Sequence, residues 1–117
     1  MYYVKKTFEV SAAHNLNLPY MSKCANLHGH NYIITVYCRC NDSELSEYGM
    51  VVDFTQIKKL VQDKWDHKYL NEINPFDSKY NNPTAENMAK WIVDTVPHCY
   101  RAEVEESKNN WAAYEVE

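Results

Sequence analysis

The sequence predicts an α+β domain in which a four-stranded antiparallel sheet carries two helices on one face. Both ends of the chain alternate with period two, and the middle carries apolar stripes at helical spacing. The 117 residues, 45% hydrophobic and 24% charged, suit one globular domain spanning residues 1–117. The element order reads strand, strand, helix, helix, strand, strand.

Residues 2–12 place Tyr2, Val4, Phe8, Val10 and Ala12 on one parity and Lys5, Thr7, Glu9 and Ser11 on the other, with Lys6 the one misfit. A loop rich in Asn and Leu covers 15–27, and a second strand from about 30 to 40 aligns Tyr32, Ile34, Val36 and Cys38. Asp53 with Gln56 predicts an N-cap and capping box for a helix whose stripe is Phe54, Ile57, Leu60, Val61 and Trp65, ending near Asp66-His67. The run Asn82-Pro83-Thr84-Ala85-Glu86-Asn87 opens a second helix with Ala85, Met88, Ala89, Ile92 and Val96 on its apolar side, and Pro97 stops it. Alternation then resumes through Tyr100, Ala102 and Val104, turns at Lys108-Asn109-Asn110 and returns through Ala112, Tyr114 and Val116. Such a sheet has two open edges, and its polar parity still shows Tyr3, Ile33, Tyr37 and Trp111, so a homo-oligomer joining sheets edge to edge is expected.

Composition excludes several functions. Gly29 and Gly49 are the only glycines, too few for a glycine-rich phosphate cradle. Twelve Lys and Arg against sixteen Asp and Glu leave a net charge of −4, and no basic cluster exceeds Lys5-Lys6 or Lys58-Lys59, which argues against a nucleic-acid partner. No apolar run approaches the roughly 18 residues that span a bilayer, and the start lacks the apolar core of a secretory signal. A cytoplasmic protein whose partner is a small molecule or another protein chain, away from membranes, is the expectation. Cys38, Cys40 and Cys99 read as small core residues of a reducing compartment.

Chemistry concentrates in Cys24-Ala25-Asn26-Leu27-His28-Gly29-His30 and in His14. Histidines at i and i+2 entering a strand point to one side, their Cα atoms about 6.5–7 Å apart. His14 leaves the paired strand on the same parity as Val10 and Ala12 and supplies a third corner. Three imidazoles with an open position suit catalytic zinc; Cys24 as fourth ligand would instead close a structural zinc site, and a metal-free histidine group is the third reading. If it is not a ligand, Cys24 is a thiol beside a divalent cation and a candidate base or nucleophile. Asp66-His67 is either a carboxylate-oriented imidazole that moves protons or a plain helix cap. Glu106 falls on the covered parity after 100, 102 and 104, so it is either paired, an edge with two N–H donors being a good partner, or close enough to the turn to reach water.

Together, His14, Cys24-x3-His28-Gly29-His30, Asp66-His67-x2-Leu70-Asn71, Pro83-Thr84-x-Glu86-Asn87 and Glu106 resemble the 6-pyruvoyl-tetrahydropterin synthase superfamily over nearly the whole chain. The three residues between Cys24 and His28 are similar to the bacterial 6-carboxy-tetrahydropterin synthase branch of queuosine biosynthesis. The resemblance implies the tunnelling fold, with trimers closing a barrel, pairs of trimers stacking and sites between subunits. It implies zinc on His14, His28 and His30, Cys24 as proton acceptor, Asp66 and His67 as a second relay, and Glu106 with Thr84 holding the pterin ring. The implied reaction is zinc-dependent conversion of 7,8-dihydroneopterin triphosphate to 6-carboxy-5,6,7,8-tetrahydropterin, releasing acetaldehyde and triphosphate. A pyruvoyl-forming or other side-chain-cleaving relative is the alternative, and a zinc-stabilised binding module without turnover is the alternative of another class. The chain is short around 15–23 and 41–49, where the family's triphosphate loops lie, leaving Lys23, Lys68 and Arg39 as candidate partners for that anion.

Overall fold

In the computed structural model, which describes residues 1–117, the alternating N-terminal segment is one long strand, β1 (Tyr2–His14), and the next is β2 (His28–Cys40). They pair antiparallel along their full lengths, from Tyr2 opposite Cys40 to His14 opposite His28. Residues 54–65 form α1, built from an α-helical turn (Phe54–Ile57), a π-helical stretch (Lys58–Gln62) and a closing turn (Asp63–Trp65). Asp53 caps it by accepting from the Thr55 N–H at 2.8 Å, in place of the capping box expected with Gln56. The wider π turn aligns residues four apart, so Ile57, Val61 and Trp65 are fully buried. Phe54, expected on that stripe, is 45% exposed at the first turn. Lys6, the misfit of β1, holds its ammonium 6.0 Å from the Phe54 ring centroid, its stem covering the margin of the core.

After α1 comes a short strand, β3 (Lys68–Tyr69), then α2 (Ala85–Thr95), β4 (Cys99–Ser107) and β5 (Asn110–Glu115). The Thr84 hydroxyl caps α2, accepting from the Asn87 N–H at 3.1 Å, and Ala85, Met88, Ala89, Ile92 and Val93 bury its inner face. Asn109 turns β4 into β5 with φ 71°, a left-handed conformation that Asn tolerates.

The sheet has five strands in the order β3-β1-β2-β4-β5 and is mixed, which corrects the expected four antiparallel strands. The added strand, β3, runs parallel to Ala12 and Ala13 of β1. Two residues cannot display a period. Local bonding holds them there instead: the Ser11 N–H donates to Asp66 Oδ1 at 2.9 Å, and the His67 N–H donates to the Ser11 carbonyl at 2.6 Å.

The core lies on the even-numbered face, where Phe8, Val10, Tyr32, Ile34, Val36, Cys38, Ala102 and Val104 meet the helices. All four cysteines are free thiols, Cys38 and Cys40 buried among these residues. The helix-free face exposes Tyr3, Ile33 and Trp111. No helix is long and apolar enough to cross a membrane. The parity predicts that Ile34→Ala costs about 2–5 kcal/mol of unfolding free energy and Ile33→Ala less than about 1, measured by urea denaturation. Equal costs would mean that the faces are assigned wrongly.

Candidate metal centre

The parity that builds the core continues beyond it. His14 ends β1 directly opposite His28, His30 stands opposite Ala12, and Glu106 follows Ala102 and Val104 on β4. Three strands thus deliver four side chains to one end of the covered face. One donor atom from each of His14, His28, His30 and Glu106 lies within 4.8 Å of all the others.

Backbone carbonyls settle which nitrogens face inward. His14 Nδ1 lies 2.7 Å from the Pro83 carbonyl and His28 Nδ1 lies 2.7 Å from the Asn26 carbonyl, and a carbonyl only accepts, so each Nδ1 carries the proton. In the neutral rings both Nε2 atoms are then lone pairs, and they face each other across 2.9 Å with no proton to share. His30 Nε2 is buried and lies 2.7 Å from Glu106 Oε1, yet the direction is wrong for a hydrogen bond and the nitrogen has no partner. His14 Nε2 is 3.5 Å from the same carboxylate oxygen. Converging acceptors repel unless a cation stands among them.

Donors bound to zinc at about 2.0–2.1 Å in a tetrahedron sit roughly 3.3 Å from one another. The observed separations of 2.7, 2.9 and 3.5 Å bracket that edge, so the residues fit a small divalent cation. Burial holds the His14 and His30 imidazoles below their ordinary titration range despite the nearby Glu106 carboxylate, which keeps their lone pairs free near neutral pH. The Tyr32 hydroxyl, fully buried, lies 3.1 Å from His14 Nδ1 and closes the site from the core side.

The other expected residues lie elsewhere. Cys24 is exposed on a one-turn helix (Lys23–Ala25) and is not in the group, whose fourth donor atom belongs to Glu106. Asp66 Oδ2 is 3.6 Å from His67 Nε2, and the His67 backbone is left-handed at φ 60°. Their neighbours show which side they serve. His67 lines a cleft of about 470 Å³ with Ser11, Ala13, Gly29 and Asn31, which stand on the parity opposite to the histidines, and with Ala12 and His30. Neither Asp66 nor His67 belongs to the metal group. Thr84 spends its hydroxyl oxygen on the α2 cap, while Ala85, Glu86, Glu106 and Trp111 line a cleft of about 260 Å³ beside it. Lys68 lines the His67 cleft and Lys23 adjoins Cys24, but Arg39 lies at the far end of β2, stacked 4.5 Å from the Tyr100 ring centroid.

Sequence reasoning missed the Pro83 and Asn26 carbonyls, which carry no side-chain signal. Tyr32 had one, since it follows His28 and His30 on the same parity. Long-range proton–nitrogen NMR is expected to find the Nδ1–H tautomer at both His14 and His28. A proton on Nε2 of either ring would undo the convergence of lone pairs.

The chain matches the model of the 6-pyruvoyl tetrahydropterin synthase family over residues 3–117. It is 33% identical to the 6-carboxy-5,6,7,8-tetrahydropterin synthase of Bacillus subtilis, covering 95% of this chain and 83% of that protein. It is 35% identical to the protein of the same name from Synechocystis, covering 97% and 93% respectively. Among solved structures, the Caenorhabditis elegans 6-pyruvoyl tetrahydropterin synthase superposes with a TM-score of 0.76 at 28% identity, covering 99% of this chain and 96% of that one. The family match over residues 3–117 and two relatives at 33% and 35% identity over most of their length agree, and the chain belongs to the 6-pyruvoyl tetrahydropterin synthase family.

Proposed function

We propose that this protein is a zinc-dependent carbon–carbon lyase that converts 7,8-dihydroneopterin triphosphate to 6-carboxy-5,6,7,8-tetrahydropterin, acetaldehyde and triphosphate, in the cytoplasm, for queuosine biosynthesis. The observation that carries the reading is the inward-facing pair of Nε2 lone pairs on His14 and His28, fixed by the Pro83 and Asn26 carbonyls and joined by His30. In this reading His14, His28 and His30 would hold zinc, which supplies Lewis acidity toward the hydroxyls of the substrate side chain. The names of the Bacillus subtilis and Synechocystis relatives support the carboxy branch.

The chain's own groups divide the remaining work. Cys24, exposed on its turn, accepts a carbon-bound proton. Asp66, held by the Ser11 N–H, orients the His67 ring, which moves a second proton. Glu106, beside the Trp111 cleft, offers a carboxylate to the amino and ring N–H edge of a pterin, with Thr84 near it. Because Asp66 and His67 are not part of the donor group and His67 lines a cleft with the odd-numbered Ser11, Ala13, Gly29 and Asn31, a neighbouring copy supplies this pair to a given site in a trimer or a dimer of trimers. The exposed Tyr3, Ile33 and Trp111 support such an assembly.

A second reading is favoured by one distance. Glu106 Oε1 lies 2.7 Å from His30 Nε2, close enough to make Glu106 a fourth ligand in a closed site of a binding module without turnover.

Zinc-loaded protein given 7,8-dihydroneopterin triphosphate is expected to yield the carboxy pterin and acetaldehyde by mass spectrometry. A pyruvoyl pterin would move the protein to the other branch of its family, and unchanged substrate would overturn the lyase reading. Cys24→Ala and Glu106→Gln are each expected to keep one zinc per chain while lowering turnover by at least about a hundredfold. Loss of zinc from Glu106→Gln would support the closed site.

A further inference from the structure

Beyond the last residue of β1 the chain stays extended, but no strand accompanies it. Residues 15–17 are held by side chains. Asn71 pairs with Asn15 in both directions: the Asn15 N–H donates to Asn71 Oδ1 at 2.9 Å, and Asn71 Nδ2 donates to the Asn15 carbonyl at 2.8 Å. Asn82 does the same two residues on, accepting from the Asn17 N–H at 2.8 Å and donating to the Asn17 carbonyl at 3.0 Å.

A primary carboxamide presents a donor and an acceptor side by side, matching the N–H and C=O that one extended residue shows on one edge. Two carboxamides at alternate residues therefore replace a strand. They prolong the edge on which β3 pairs with Ala12 and Ala13. Asn82 is itself braced through its backbone carbonyl, which accepts from Asn87 Nδ2 at 2.8 Å, and the held Asn15 is braced through its own Oδ1, which accepts from the Tyr69 hydroxyl.

The opposite edge of the same segment shows what is being held. The Leu16 N–H points away from the two asparagines and donates to the Cys24 carbonyl at 2.8 Å. Two residues earlier stands His14, whose ring is fixed by the carbonyl of Pro83, the neighbour of Asn82. Cys24 has no side-chain partner of its own, and its turn is exposed, so the Leu16 bond is its tie to the sheet.

We infer that Asn71 and Asn82 are positioning residues, a two-carboxamide clamp that fixes residues 15–17 as a false strand and through Leu16 sets the place of Cys24. The inference rests on the lyase reading only for the catalytic purpose of Cys24; the clamp itself is independent of the reaction.

The test uses Asn71→Leu and Asn82→Leu in the full-length, metal-loaded protein, with Asn71→Asp and Asn82→Asp, which keep the acceptor and lose the donor, as second variants should the first not fold. Three quantities are read: amide exchange at Leu16, the rate at which iodoacetamide alkylates Cys24 by peptide mapping, and kcat against KM. The expected result is Leu16 exchange faster by about tenfold or more, an altered Cys24 alkylation rate, and a fall in kcat exceeding any change in KM, with the visible spectrum of the cobalt-substituted protein unchanged. Unchanged Leu16 exchange and Cys24 alkylation in folded variants would overturn the clamp. A response of both in a protein that leaves the pterin untouched would uphold the clamp and reject the lyase reading.

Discussion

The register of β1 against β2 is the constraint on which the rest depends. Thirteen consecutive residue pairs, from Tyr2 and Cys40 to His14 and His28, fix which face every side chain meets. A slip of one residue would turn Val10, Tyr32 and Ile34 to solvent together with the histidines. Core and donor group are thus a single stripe. The apolar part is stabilised by burial, and its polar end is held in place by the same ladder.

What the ladder cannot supply comes from carbonyls and carboxamides. Strand pairing brings three imidazoles together, but the Pro83 and Asn26 carbonyls decide that lone pairs rather than N–H groups meet. Glu106 arrives from a third strand where the pairing of β4 with β5 shifts between Glu105 and Ser107. The site is therefore rigid on two sides and locally irregular on the third. Proteins named for two different pterin products resemble this chain, one in sequence and one in fold.

Much of this was legible in the residues themselves. Alternation in β1, β2, β4 and β5 and the stripes of α1 and α2 follow from burial with a fixed period, which a sequence displays directly. Glu106 was legible for the same reason, as the carboxylate that breaks an apolar parity. Features without a period were hidden: β3 is two residues held by Asp66 and His67, and Phe54 leaves its stripe because π winding shifts the angle between residues. Cys24 illustrates the limit of spacing. Its place, with three residues between it and His28-Gly29-His30, made it a candidate ligand, yet its turn leaves it outside the donor group, and the Leu16 bond that holds that turn involves only backbone atoms.

The pairing shift beside Glu106 has an evolutionary consequence. His14, His28 and His30 are locked to a continuous ladder, so an insertion or deletion among their neighbours would reverse the faces and destroy the core along with the donors. Glu106 stands next to a break in pairing, where a change of length or side chain is absorbed without moving β2. A change of length at this one corner would therefore shift Glu106 and leave the three histidines where the ladder holds them.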